Sequence, residues 1–584
     1  MAKTVLKSLL LLVLCGVLQT ARAAKDRPNV LLIVTDDQGI GDFGFMGNDT
    51  VKTPNLDRLA EQSAHFTNFV VAPACSPTRS SLMTGRNHMK AGVWGVGPRN
   101  NLMRDEILMP QYFKSNGYGT GYFGKGDGVG LLELKPWDRG CDEAEYPWGY
   151  DHLDPRMITP EGVIEREGWT CDINVDFALD YIRRQGDQPW WCTVAYIIPH
   201  LPWEPPETYA EYYRKQGCSE RLAAVYGSIT QMDDATGHLL RELEKMGHIE
   251  DTIIVFLSDN GPSYKDMTEE EIESRNSLEL RGTKATAWDN GIRVPLLVRW
   301  PGTIEPGPRP QFASVEDILP TLADLTGLDP AKFPEHHPWD GVSLRSALQD
   351  PDSAEIERTV FRVAISGEGA AGGARAVVNH PDEVSMREQH VTLRGPRFKY
   401  HNYADGSSEL FDLDADPGET VDVSDEFPEI AARYAAELED KYEAILDTGR
   451  AYRMPWLKVG RYRPGYNKLN SVMAQKIYGD LKGVGFHYLK GFAQPGDRAE
   501  YAIEVVRGGE YTATMDGKQL DHGGGWMLRF GDTEVRPETT TPQKVTFPPF
   551  TLGEGRQTMT LTVEGSGEQR DPPLVQKIYL APPR

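Results

Sequence analysis

The chain has 584 residues, enough to bury a large core and to divide into more than one folded region. Its formal charge of −24 at pH 7 argues against a general binder of nucleic acid or of acidic surfaces. An anionic ligand must therefore be met by a local basic pocket, and no nucleic-acid partner is expected.

Lys3 and Lys7 precede an apolar run over 9–18, and Ala21-Arg22-Ala23 follows. This order predicts a signal peptide over 1–24, removed on export, and a periplasmic or extracellular mature protein. The run falls short of the about 20 residues that cross a bilayer, and no later stretch is longer, so no membrane span is expected. Loss of Lys3, Lys7 and Arg22 would take the charge to −27. The remaining cysteines are Cys75, Cys141, Cys171, Cys192 and Cys218. In an oxidising compartment these could form up to two disulfides and leave one over.

From 29 to about 328, apolar runs alternate with amphipathic stretches, the pattern of a parallel sheet flanked by helices. Helices are predicted over 55–63, 173–184 and 222–246. Strands are predicted over 29–35, 118–123, 191–198 and 252–258, and each runs into polar residues: Asp36-Asp37, Lys125, His200 and Asp259-Asn260. Ligands of open α/β sheets bind beyond the carboxyl ends of the strands, so the four endings would meet at one edge. Asp and Asn also end strands for purely local reasons. Short strands such as 389–394 follow, then a turn at Asp414-Ala415-Asp416-Pro417-Gly418 and a helix over 428–446. Beyond an Arg-, Tyr-, Gly- and Pro-rich stretch at 450–463, strands at 500–506, 510–515 and 558–563 suggest a β-sandwich of roughly 120 residues.

Cys75 stands at a helix start, with Pro77 in the first turn where proline is tolerated. Such a cysteine is either a thiolate nucleophile of lowered pKa or a buried structural thiol, and composition does not choose. Cys75-Ser76-Pro77-Thr78-Arg79, followed by Leu82-Met83-Thr84-Gly85-Arg86, resembles the formylglycine sulfatase signature. Further landmarks resemble the family in its order: Pro54-Asn55-Leu56-Asp57, Pro199-His200, Ser258-Asp259-Asn260-Gly261, Arg281-Gly282-Thr283-Lys284 and Gly291-Ile292-Arg293-Val294-Pro295. Asp317-Ile318-Leu319-Pro320-Thr321 and Asp340-Gly341-Val342-Ser343-Leu344 continue the series. The resemblance runs over about 27–446, roughly seven tenths of the chain.

It implies an alkaline-phosphatase-like α/β fold, a mixed sheet flanked by helices, with a smaller α+β C-terminal subdomain. The expected division is a catalytic domain over 25–360, the subdomain over 361–455, a linker over 456–470 and the appended β-sandwich over 471–584. It also implies one calcium ion held by Asp36, Asp37, Asp259, Asn260 and the modified Cys75. The oxygen-only set of Asp and Asn side chains suits a hard divalent cation. Cys75 would be oxidised to formylglycine by a formylglycine-generating enzyme. One hydroxyl of the hydrated aldehyde would attack sulfur, and the other would later expel sulfate. Arg79 would support the hydrate, Lys125 and Lys284 would contact sulfate, and His200 would protonate the leaving alcohol.

One departure falls in the Lys125 loop. The family usually reads Gly-Lys-Trp-His-Leu-Gly, whereas this chain reads Gly124-Lys125-Gly126-Asp127-Gly128-Val129-Gly130, without the histidine that assists sulfate expulsion. Asp127 could serve as the base instead, or His88, His152 or another histidine could fill the gap in space, or turnover is impaired. A second departure, Trp288-Asp289-Asn290-Gly291, is read as structural, so Lys284 keeps its assignment.

The resulting expectation is hydrolysis of sulfate esters, with a sulfated carbohydrate as substrate and a role in polysaccharide degradation. The carbohydrate is inferred from the appended sandwich by analogy. Two alternatives stand beside it: a phosphodiester or phosphonate ester hydrolase of the same fold, and a catalytically impaired sulfated-glycan-binding protein. In the latter, Trp526, Tyr511 and Tyr501 of the sandwich would stack on sugar faces.

Overall fold

The computed structural model describes residues 27–96, 102–126, 135–275, 277–365, 386–453, 455–461, 467–484, 488–566 and 572–582. The segment read as a signal peptide and Asp127 lie outside the described residues. Among those described, no helix is long and apolar enough to cross a membrane.

A ten-stranded mixed sheet organises the first part of the chain. Its centre is five parallel strands, β1 (Asn29–Thr35), β2 (Gly119–Gly124), β3 (Glu143–Pro147), β4 (Trp190–Ala195) and β5 (Thr252–Ser258), in the order β5-β1-β4-β2-β3. Leu296–Arg299 adds antiparallel beside β5, and a hairpin of Arg156–Thr159 and Gly162–Glu165 adds antiparallel beside β3. The apolar runs predict four of these five strands and miss β3, and the antiparallel flanks are too short to show a period.

Both faces of this sheet are covered. Val30, Leu32 and Val34 of β1 point into one apolar core, and Leu31 and Ile33 into the other. A strand buried on both faces reads as a continuous apolar run, which is why β1 and β5 match their predicted limits residue for residue. The helices of this part include α1 (Pro54–Glu61), α2 (Cys75–Thr84), α3 (Thr170–Gln185) and α4 (Glu220–Lys245), of which α2 carries Cys75 and Arg79. No disulfide joins the five described cysteines. Cys141, Cys171 and Cys192 are buried, and burial pushes their thiols up, Cys141 being held further up by Asp142 and Cys171 by Asp172.

Next comes a four-stranded antiparallel sheet, Val360–Val363, Val391–Arg394, Phe398–Asn402 and Ser408–Asp412 in sequential order. The helix Pro428–Leu446 packs on it through Tyr434, Leu438, Tyr442 and Ile445. The last part is two sheets around a common apolar core. Two stretches within 456–470, read as linker, are strands of these sheets. Leu457–Val459 pairs parallel with Arg498–Val505, and Lys468–Asn470 pairs with Leu574–Ala581. Three-residue strands between Arg, Tyr, Gly and Pro leave little pattern to read.

The sandwich aromatics offered as sugar platforms are core residues. Trp526 is 2% exposed, and Tyr501 and Tyr511 are fully buried. Their polar tips are satisfied internally: Tyr501 donates to the Ser471 carbonyl, Tyr511 to the Arg507 carbonyl and Trp526 to the Leu520 carbonyl.

Candidate active site

The parallel strands deliver their endings to one place. Asp36 and Asp37 leave β1, Lys125 leaves β2, and Asp259 and Asn260 leave β5. His200 follows β4 after a turn in which the Ile198 carbonyl accepts from the Asp36 amide at 3.0 Å. The strand read over 191–198 therefore stops at Ala195, because the chain bends over the end of β1. Asp37 has φ 66°, a left-handed conformation that short polar side chains tolerate.

Cys75 is the first residue of α2, where unpaired amides favour negative charge. Arg79 lies four residues on, on the same helix face. Its Nε donates to Asp259 Oδ2 at 2.7 Å, and its Nη2 donates to the Thr35 carbonyl at 3.4 Å. One Cys75, one Asp36 and one Asp259 ligand atom lie within 4.8 Å of one another. The same spacing holds for Asp36, Asp37 and His200.

Each acid has one cation. Lys125 Nζ lies 2.5 Å from Asp36 Oδ2, Arg79 holds Asp259, and Lys284 Nζ is 2.6 and 2.8 Å from the two oxygens of Asp37. Asn260 Nδ2 donates to Asp37 Oδ1 at 2.9 Å. Asp36 Oδ1 and Asn260 Oδ1 are buried and accept no hydrogen bond. Buried acceptors are rarely left so, and two oxygen donors without partners amid three carboxylates suit a hard cation.

Burial acts on every group in this site. It pushes Asp36 up, with Asp37 adding to the shift against Lys125, and it lifts Asp259 to about 6, helped by Asp36. At Asp37 burial is outweighed by Lys284, then His200 and Lys125, so that carboxylate stays below its ordinary range. Lys284 is raised because Asp37 outweighs burial. His200 is lowered to about 4 by burial, with Lys125 and Lys284 working against the opposite pull of Asp37.

The His200 Nδ1 sits 2.6 Å from the Leu201 carbonyl, so that nitrogen carries the proton and Nε2 faces Asp37, 3.8 Å from Oδ2. Its ring stacks on Tyr150, centroids 4.2 Å apart and 14° from parallel, and Lys125 Nζ lies 5.1 Å from the same Tyr150 ring. Tyr150 was not found from sequence. Its only signal is the aromatic run Tyr146-Pro147-Trp148-Gly149-Tyr150 at the end of β3.

The structure thus brings together Asp36, Asp37, Cys75, Arg79, Lys125, His200, Asp259, Asn260 and Lys284. Of the two histidines offered for the missing one, His152 is buried beside His200, whose charge adds to burial in lowering it to about 4. His88 points elsewhere, its Nδ1 on the Val93 carbonyl at 2.6 Å, next to Arg362 and Glu316.

Backbone contacts lock the parts together. The Gly261 amide donates to the Gly291 carbonyl, the Lys284 amide to the Pro262 carbonyl and the Ala285 amide to the Pro73 carbonyl. A Cβ at Gly261 would overlap the Asn290 carbonyl, so only glycine fits that turn.

A family model described as Sulfatase matches residues 28–328, just over half of the chain. The chain is 29% identical to an ulvan-active sulfatase of Formosa agariphila over 76% of its own length and 86% of that protein. It is 31% identical to the human N-acetylgalactosamine-6-sulfatase over 56% of its own length and 67% of that protein. A solved structure of Ps i-CgsB in complex with k-i-k-neocarrahexaose shares the fold, with TM-score 0.61 and 22% identity, covering 71% of this chain and 93% of that one. The chain belongs to the sulfatase family and is a sulfuric ester hydrolase.

Proposed function

We propose that the chain hydrolyses sulfate esters of a carbohydrate, using formylglycine made from Cys75 and one calcium ion held by Asp36, Asp37, Asp259, Asn260 and the modified Cys75. The observation that carries this reading is the meeting of Cys75, Asp36 and Asp259 beside two buried oxygens without partners. Sulfated carbohydrate as substrate class draws support from relatives whose names specify ulvan and N-acetylgalactosamine 6-sulfate. Export with loss of 1–24, and maturation by a formylglycine-generating enzyme, belong to the same proposal. So does the division into a catalytic domain, an α+β subdomain and a sandwich.

The calcium ion would polarise a sulfate oxygen and favour the ionised nucleophile. Formylglycine would supply a nucleophile that regenerates itself. The protein's own residues do the rest. Arg79, anchored on Asp259 and Thr35, holds a positive charge one helical turn from position 75. Lys125 and Lys284, on opposite sides of Asp36 and Asp37, are placed to neutralise charge that builds on sulfate and on the leaving oxygen. His200, with Nδ1 committed to a carbonyl, faces the site with Nε2; that nitrogen is unprotonated in the neutral ring, so it would hand a proton to the departing alcohol only after taking one up, a charge that neighbouring Asp37 favours. Burial of Asp36, Asp37, Cys75, Arg79, Lys125, Asp259 and Asn260 limits water and strengthens their interactions, while His200 and Lys284 stay partly exposed at the opening.

Mass spectrometry of the Cys75 peptide from protein co-expressed with a formylglycine-generating enzyme gives the direct test, with the aldehyde expected. Retention of a plain thiol in protein that still releases sulfate would overturn the mechanism. Paired aryl sulfate and aryl phosphate esters in the same assay decide between sulfate and phosphate chemistry, with the sulfate ester expected to turn over faster.

A further inference from the structure

A cavity of about 150 Å³ adjoins the active site, lined by Lys125, Gly126, Tyr146, Trp148, Tyr150 and Ile158 among others. Two of these residues belong to the site as well. Lys125 holds Asp36, and Tyr150 stacks on His200. The cavity thus borders the side of the site formed by Lys125 and His200.

One lining residue and a neighbour of it are unusual for a folded surface. Trp148 is 49% exposed, although tryptophan is a highly buried residue on average. Arg156 begins the strand that pairs back onto β3, with Tyr146 opposite Ile158 and Pro147 opposite Met157. Its guanidinium carbon is 5.9 Å from the Trp148 ring, and its side chain is 53% exposed. The nearest acid, Asp151, is 3.9 Å away, beyond a charge-assisted hydrogen bond, so the fork of Arg156 is not committed to it. Glu145 is bound by Arg166 and Glu143 by Arg184. A chain of charge −24 repels a polyanion over most of its surface, which makes a cation at this place informative.

We propose that Trp148 and Arg156 form a subsite for the sugar next to the sulfated one, and that this neighbour carries a carboxylate or a second sulfate. The indole offers an apolar face to the ring carbons, and Arg156 offers its planar fork to the anion. Tyr146 and Tyr150 line the passage between this subsite and the ester. The proposal rests on the sulfated-carbohydrate reading and narrows it: the substrate is an oligomer with charge on adjacent units, engaged across at least two sugars.

The test uses the full chain and oligosaccharides prepared from ulvan, carrageenan and chondroitin sulfate, beside 4-nitrophenyl sulfate. Trp148→Ala and Arg156→Gln are expected to lower kcat/KM on the oligosaccharide that turns over by at least about tenfold more than on 4-nitrophenyl sulfate, mainly through KM. Trp148→Phe should recover most of the loss, and Tyr212→Ala, an exposed aromatic change outside the site, should alter neither substrate. Equal losses on both substrates, or none on either, would overturn the subsite. Binding gives a second readout independent of turnover. With Cys75→Ala protein, calorimetry should detect the oligosaccharide and show affinity weakened about tenfold by Trp148→Ala. Failure to bind any of the three preparations, or unchanged affinity, would also overturn it. Absence of sulfate release from every compound, with binding intact, would instead count against the sulfatase reading alone.

Discussion

Two clusters of buried charge lie at the two ends of the segment from Lys284 to Asp289, and they use similar residues differently. At the strand ends, Asp36, Asp37 and Asp259 face Lys125, Lys284 and Arg79. In the second cluster, Asp289 and Glu419 face Lys399 and Arg394, with His401 and His390 completing it. The second cluster is closed. Asp289 Oδ1 accepts from Lys399 and Oδ2 from Arg394, while Glu419 Oε1 accepts from the Asp289 amide and Oε2 from His401. The His401 Nδ1 meets His390 Nε2 at 2.8 Å, and Trp288 lies over the His401 ring. At the strand ends, Asp36 Oδ1, Asn260 Oδ1 and Thr35 Oγ1 are buried without partners. Each such atom costs about 1–3 kcal/mol. One cluster therefore holds the Lys284 loop to the C-terminal sheet, and the other keeps open valences for what it must bind.

The widest separation between them should appear in catalysis. Asp259→Ala removes a proposed metal ligand and the partner of Arg79, and kcat/KM should fall about a thousandfold. Lys399→Met, normalised to folded protein, should lose less than about a hundredfold. Comparable losses would erase the distinction. The order reverses in stability. Lys399→Met removes the cation that Asp289 and Glu419 share, leaving two buried acids side by side, and should cost about 3–5 kcal/mol in urea unfolding. A cost below about 1 kcal/mol would mean the closed cluster is not what fixes that loop.

Calcium sharpens the contrast further. At a hundredfold excess over its dissociation constant it should stabilise the protein by about 2.7 kcal/mol, equally in wild type and Lys399→Met, and not in Asp37→Ala. A stabilisation that survives Asp37→Ala would place the ion elsewhere. The smallest effect concerns a single hydroxyl. Thr35→Val removes a buried group with no partner in calcium-free protein, so it should be neutral or stabilising by up to about 1 kcal/mol. A loss greater than that would show that the Thr35 hydroxyl is satisfied after all.

The strand-end site is only partly legible in local sequence: the strand endings suggest an edge, and the resemblance to the sulfatase signature is what joins Cys75, Arg79 and Lys284 to them. A continuous apolar run such as 29–35 or 252–258 announces a doubly covered strand, and the acidic residue after it marks the sheet edge where ligands bind. The closed cluster has no such local sign. Lys399 and Glu419 come from the second sheet and its turn, Asp289 comes from far upstream, and their pairing exists only after the two sheets have formed. Tyr150 against His200 is hidden for the same reason, fifty residues apart and joined by no periodicity. The sandwich shows a third case. Alternating strands foretell its sheets, yet Trp526, Tyr501 and Tyr511 read equally well as platform or core until burial is known.

The backbone stitching around Gly261 bears on how this enzyme can change over generations. One turn is tied to the Lys284 segment, which is itself tied to Pro73, two residues before Cys75. A drift at Gly261 would displace the turn after Asp259-Asn260 and the Lys284 segment together, so that part of the scaffold admits almost no variation. The stretch from Trp148 to Arg156 has exposed side chains and is held at its ends by strands. Variation in what the site accepts is expected at its exposed positions Trp148 and Arg156, whereas Tyr150 and His152 in the same stretch are tied to His200.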